Sequence, residues 1–164
     1  MERLNVAGAD APTLRPAEAR DEAFLFDLFA ADRAAQLAAA PIDAATRAFL
    51  IRAQHRSMMA TYRRDYPGAR FEVVECAGAP VGFLVTHVGE RCVTYVDIAL
   101  LPEARGRGLA TRLMRLALEE PRRLGLPARA TVLAGNAASL SLCERLGFVR
   151  RDETPPFVAL EWTP

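Results

Sequence analysis

Lysine is absent from this 164-residue chain, so arginine supplies all 21 basic side chains. Together with heavy use of alanine this points to a GC-rich genome, and it makes any single arginine weak evidence of a site. Only His55 and His87 stand beside Cys76, Cys92 and Cys143, and the cysteines are too widely scattered for a zinc-like spacing. No metal site is therefore expected. An odd, dispersed cysteine set without a signal-peptide pattern fits a reducing cytoplasm, which is the expected location. No apolar run approaches the roughly 20 residues needed to span a bilayer, so no membrane association is expected. The formal charge is only +1, with acids and bases interspersed, and no nucleic-acid surface stands out.

The length suits one domain spanning 1–164, with 1–12 a loose leader of small residues. A short strand is expected at 13–15. From Asp21 onward Leu25, Leu28 and Phe29 fall at helical spacing until Pro41 breaks the pattern. A second helix should run from an Asp43 N-cap to Tyr66, with Ile51, His55, Met58, Tyr62 and Tyr66 on one side. Beyond Pro67-Gly68 the period becomes that of strands, and 71–76, 81–87 and 91–100 read as antiparallel strands joined by hairpins.

A helix over 108–120, halted by Pro121, would bury Leu109, Leu113, Leu116 and Ala117. A strand at 128–133 follows. A short helix comes next, bracketed by an Asn136 N-cap and Gly147 as its C′ residue. Strands at 148–151 and 157–162 close the chain. The order β-α-α-β-β-β-α-β-α-β-β predicts an α/β fold with a mixed sheet. The crossover from Val93 to Leu133 makes two strands parallel and places their ligand beyond their C-terminal ends.

At that end lies Arg105-Gly106-Arg107-Gly108-Leu109-Ala110. Four of the eleven residues over 105–115 are arginine, against roughly one or two expected from composition. Basic residues normally gather at a helix C-terminus, yet here Arg105, Arg107, Arg112 and Arg115 crowd the start while Glu119 and Glu120 fall near the finish. A bound polyanion resolves the conflict, because unpaired helix N–H groups, a glycine-rich turn and guanidinium groups all suit phosphate.

The segment from Leu100 to Ala110 resembles the Arg/Gln-x-x-Gly-x-Gly/Ala pyrophosphate motif of the GNAT superfamily of acyl-CoA-dependent N-acyltransferases. The stretch from Asn136 to Phe148 is similar to that family's Asn-x-x-Ala-x-x-Leu-Tyr-x-x-x-Gly-Phe segment. The resemblance covers essentially the whole chain and implies a GNAT-like fold with acetyl-CoA as cosubstrate. It implies that backbone N–H groups of Arg105, Gly106, Arg107, Gly108, Leu109, Ala110 and Thr111 bind the CoA pyrophosphate. Leu100 and Leu101 would offer strand-edge groups to pantetheine and the acyl carbonyl, and Asn136 would touch the pantetheine arm besides capping its helix. The first two helices would cover the acceptor.

Cys143 stands where the family usually carries the tyrosine that reprotonates the CoA thiolate. Three roles stay open for it: acid, buried packing residue, or covalent acyl carrier. Asp97, a carboxylate in the otherwise apolar run Tyr95-Val96-Asp97-Ile98-Ala99, is the candidate general base, the alternative being a buried structural carboxylate. Strict alternation would set Asp97 on one face with Val93, Tyr95 and Ala99 and bring Tyr95 into its pocket. The reading is an N-acetyltransferase acting on a primary amine of a small molecule or peptide by direct attack in a ternary complex. A non-catalytic acyl-CoA sensor on the same fold is the alternative. A homodimer pairing through the strand that ends in Trp162 is a further expectation.

Overall fold

The computed structural model describes residues 11–38 and 40–164. Most of the expected leader lies outside them. The elements are Thr13–Pro16 (β1), Glu22–Leu37 (α1), Ala44–Asp65 (α2), Arg70–Cys76 (β2), Ala79–Val88 (β3), Val93–Leu100 (β4), Leu109–Ala117 (α3), Glu119–Leu124 (α4), Ala128–Leu133 (β5), Ala137–Arg145 (α5), Val149–Thr154 (β6) and Phe157–Trp162 (β7). All seven strands form one sheet in the order β1-β2-β3-β4-β5-β7-β6. Every pairing is antiparallel except β4 with β5. Among the described residues no helix is long and apolar enough to cross a membrane.

The two sheet faces carry separate cores. Leu25 and Leu28 of α1 and Met59 of α2 pack on Phe83 and Val85. Leu109, Leu113 and Met114 of α3, with Leu118, Leu140 and Cys143, pack on Val74, Leu84, Val93 and Tyr95 from the other side. Local chemistry sets the helix starts: Asp43 accepts from the Thr46 N–H at 2.8 Å, and Asn136 accepts from the Ser139 N–H at 3.1 Å.

Three expectations change. The helix expected over 108–120 ends at Ala117, and Pro121 lies inside the first turn of α4, where its missing N–H breaks no intrahelical bond. Leu116 is exposed and Met114 takes the inward position. The strand ending in Trp162 is flanked by β5 and β6, so both of its edges are used. Trp162 itself is buried beneath Arg122, whose guanidinium lies 5.2 Å from the ring centre. It cannot pair across a dimer as expected. The free edge on that side is β6, whose charged residues discourage strand addition.

Gly82 of β3 faces the last residues of β4. A Cβ built there would stand 2.5 Å from the Ala99 carbonyl oxygen and 2.5 Å from Leu100 Cδ2, closer than packed atoms tolerate. Backbone is the obstacle, so a rotamer change cannot relieve it. Gly82→Ala should destabilise the protein by about 1–3 kcal/mol, measured as a fall in Tm of roughly 2 to 12 °C. An unchanged Tm would mean that β4 can shift freely.

Candidate functional site

Strands β4 and β5 pair only at Val93 with Ala128, Thr94 with Arg129 and Tyr95 with Ala130, and beyond these the ladder ends. The C-terminal halves of both strands therefore turn unpaired backbone toward the same gap. On the β3 side, Leu100 lies opposite Gly82 while the Leu101 N–H bonds the Val81 carbonyl at 2.9 Å. That antiparallel pattern directs the Leu100 N–H away from β3 and into the gap. Leu101 differs, since its N–H is held by Val81 and its carbonyl accepts from Ala104 at 2.9 Å.

The arginine-glycine turn closes the same end of the sheet. Gly106 and Gly108 hold φ of +74° and +73°, the left-handed region open to glycine, and no heavy atom lies within 4 Å of a Cβ built at either. Among the described residues, no backbone bond takes the N–H groups of residues 106–111. The first one committed is that of Arg112, to Gly108 at 3.1 Å. Six free donors at a helix start form an anion cradle. Arg107, Arg112 and Arg115 are exposed beside it. Arg105 is engaged elsewhere: Nε donates to the Leu100 carbonyl at 2.9 Å, and NH2 reaches both Asp32 carboxylate oxygens at 2.9 and 3.1 Å. Its guanidinium acts as a strut from the loop to β4 and α1, and its backbone N–H is bonded to the Pro102 carbonyl at 3.2 Å, so the backbone contact expected from Arg105 falls away and the free donors begin at Gly106.

A cavity of about 260 Å³ opens between α1, α2 and the end of β4. Asp97 lies in its wall, with Tyr62, His55 and Asn136 also lining it. Asn136 spends its carbonyl oxygen on the Ser139 N–H, which leaves its NH2 group for a ligand. Burial pushes the Asp97 carboxyl above the usual carboxylate range. The Tyr62 hydroxyl and the Ile98 N–H pull it partly back, and Arg33 adds a weaker attraction. Burial also raises Tyr62, and the neighbouring Asp97 charge adds to that rise.

Tyr95 does not share this pocket. Val85 pairs with Asp97 and Thr86 with Tyr95, so Val96 is an extra residue in β4. This bulge inverts the alternation: Tyr95 packs with the α3 core while Asp97 turns toward α2. Strict period-2 reading failed there because the extra residue leaves no mark in composition.

Cys143 is 6% exposed in the α3–α5 core, outside the cavity lining. Burial pushes its thiol up, with a smaller push from Glu144. His55 wedges between Phe26 and Phe29, at centroid distances of 5.6 and 5.3 Å, and burial holds its imidazole below the ordinary value. His87 packs on Tyr66 instead. Sequence reasoning missed Asp32 and Arg33, which look like ordinary charges on a helix surface until α1 is laid over the strand end.

The family model described as "Acetyltransferase (GNAT) family" matches residues 34–148. The paia N-acetyltransferase of Thermoplasma acidophilum, solved with coenzyme A, superposes with a TM-score of 0.72 at 14% identity. The match covers 93% of this chain and 99% of that one. A GNAT family acetyltransferase of Elizabethkingia anophelis with acetyl-CoA bound gives 0.65 at 12% identity, covering 94% and 99%. The ribosomal-protein-S18-alanine N-acetyltransferase of Escherichia coli gives 0.62 at 21% identity, covering 92% and 90%. The search of curated proteins returned no match.

The raised Asp97 value has a definite sign for stability. A folded-state carboxyl that holds its proton more tightly than the unfolded chain contributes stability at low pH, and that contribution is lost as pH rises through the raised value. At pH 7 the charged carboxylate is therefore a cost, which asparagine removes. Asp97→Asn should melt at the same or a higher temperature than wild type at pH 7, with its relative advantage growing from pH 3 to pH 7. A drop of several degrees at pH 7 would instead mark Asp97 as a structural anchor.

Proposed function

This chain belongs to the GNAT acetyltransferase family, and from that premise we propose that it transfers the acetyl group of acetyl-CoA to a primary amine by direct attack in a ternary complex. One observation carries the reading: the parted β4–β5 end brings together an anion cradle on one side and a carboxylate-bearing cavity on the other. The free N–H groups of residues 106–111 hold the pyrophosphate. Asn136 and the Leu100 N–H meet the pantetheine arm, whose thioester then lies between β4 and the cavity.

The Leu100 N–H faces the gap and serves as donor to the thioester carbonyl oxygen as negative charge develops there. Asp97 takes the proton of the acceptor ammonium, directly or through water, and the freed amine nitrogen attacks the carbonyl carbon. A C–N bond forms, the C–S bond breaks, and CoA leaves as a thiolate that picks up a proton. A base whose ordinary value is low becomes better matched to an ammonium when burial raises it. Tyr62 hydrogen-bonds the Asp97 carboxylate and holds it in place. Cys143 packs the core beneath α5. A thiol raised by burial and lodged among apolar side chains is a poor nucleophile, and CoA thiolate leaves without its help.

Acetyl-CoA at about 100 times its Kd should stabilise the folded protein by about 2.7 kcal/mol, read as a rise in Tm. Gly108→Trp, which fills the open space over the cradle, should abolish that rise in a protein whose far-ultraviolet circular dichroism is unchanged. No rise at millimolar acetyl-CoA in wild type refutes the binding site. Asp97→Asn should lower kcat by about 10²- to 10⁴-fold while leaving the acetyl-CoA shift intact. CoA binding without thiol release over a broad amine panel would favour the sensor reading.

Cys143→Ala should keep kcat within about threefold, and mass spectrometry of the wild type mixed with acetyl-CoA should find no acetylated thiol at that position. Substitution by alanine removes the sulfur at a cost of about 1–2 kcal/mol in packing. A thousandfold loss of kcat in a folded Cys143→Ala protein would instead assign the thiol a chemical role.

A further inference from the structure

The cavity beside Asp97 contains a second unneutralised charge of opposite sign. Arg33 of α1 lines it, with its guanidinium carbon 5.2 Å from the centre of the Phe29 ring and NH1 donating to the Gln36 amide oxygen at 2.7 Å. Among the described residues no carboxylate lies within ion-pair distance of it. The adjacent Asp32, which could have served, is drawn away by Arg105. The guanidinium rests over the Phe29 ring, and because the Gln36 bond uses only NH1, Nε and NH2 remain for a ligand. Part of the remaining wall is apolar, from Leu25, Leu28, Met58 and Phe83, and part is polar, from Asp32, Gln36, His55, Tyr62 and Asn136.

An acceptor amine must reach Asp97, and the free guanidinium across the cavity suits an anion on the same molecule. Resting on the acetyl-transfer reading above, we propose that the acceptor is a free α-amino acid with an apolar side chain, its amine toward Asp97 and its carboxylate held in bidentate fashion by Arg33. A planar fork matches a carboxylate better than a point charge would. Paired opposite charges also make the complement specific: a lone amine leaves Arg33 without a carboxylate, and an amino-acid amide offers no anion. The volume of about 260 Å³ suits one residue better than a nucleotide-linked sugar.

The test uses the whole chain loaded with CoA, which binds without reacting, and calorimetric titration with alanine, valine, leucine, methionine and phenylalanine. Each is compared with its amide and its decarboxylated amine, and phosphoethanolamine is included as a phosphate-bearing amine. At least one amino acid should bind ten or more times more tightly than its amide and its amine. With acetyl-CoA present, the same acid should show the highest kcat/KM. Arg33→Gln should raise KM for that acid at least tenfold with kcat little changed and with no effect on the amide. Arg33→Lys should recover only part of the loss. Equal binding of acids, amides and amines overturns the proposal, as do preference for phosphoethanolamine, failure of every acid to bind, and an Arg33→Gln effect that falls on all three classes alike. Acid binding that depends on Arg33 without any thiol release would support this assignment and count against the transfer reading alone.

Discussion

The site depends on the early end of one parallel ladder. After Tyr95 and Ala130, β4 and β5 no longer bond to one another, and a parallel pair that separates leaves facing backbone donors and acceptors that the partner strand no longer satisfies. In a closed sheet those groups would be satisfied and no cofactor could enter. Here the segments leaving the two strands hold the gap open. The chain after β4 folds back through Leu101, bound to Val81 and Ala104, into the arginine-glycine turn. The chain after β5 is tied by the Ala134 N–H to the Pro156 carbonyl at 2.8 Å and then starts α5 at Asn136. Both departures happen where a ligand's polar arm can replace the missing strand neighbour.

Two devices, one inside β4 and one in the loop after it, give that gap two sides. The extra residue at Val96 lets the strand present Tyr95 to one helix layer and Asp97 to the other, although they are only two residues apart. Without it Asp97 would face the α3 core, where a carboxylate has no partner. Arg105 is the second device. By gripping the Leu100 carbonyl and Asp32 together it joins the arginine-glycine turn to α1, so the wall of the cavity is positioned by that turn. This strut also removes Asp32 from competition for Arg33.

Most of the architecture could be read from the chain because its punctuation is local. Asp43, Asn136 and Gly147 act within a turn of their own helices, and the strand over 128–133 is bounded by Pro127 and the Gly135-Asn136 turn. The glycine turn was legible for the same reason, since its conformation and free donors are properties of six consecutive residues. What stayed hidden needs long-range contact. A β-bulge is defined by the partner strand, so Tyr95 was assigned to the wrong face. Arg105 read as a phosphate ligand because Asp32 is 73 residues away in sequence. Leu116 and Met114 exchanged roles because the inward stripe of α3 runs through Leu113 and Met114 to the fully buried Leu118, which leaves Leu116 on the outer side.

The division of labour between cradle and cavity follows from dielectric exposure. Phosphates stay partly hydrated, so in the proposed complex a rim of backbone donors and exposed guanidinium groups would suffice to hold them, with an attraction that weakens with salt. The reacting end needs the reverse. A carboxylate raised by burial attracts an ammonium strongly, and once the proton has moved, the charge that opposed burial is gone from both groups. In the proposed reaction, proton transfer from the acceptor ammonium to Asp97 would turn an ion pair into two neutral groups, which a partly desolvated cavity favours. A second charge on the proposed acceptor would need a partner in the cavity, and Arg33, whose neighbour Asp32 pairs with Arg105, is the one we propose.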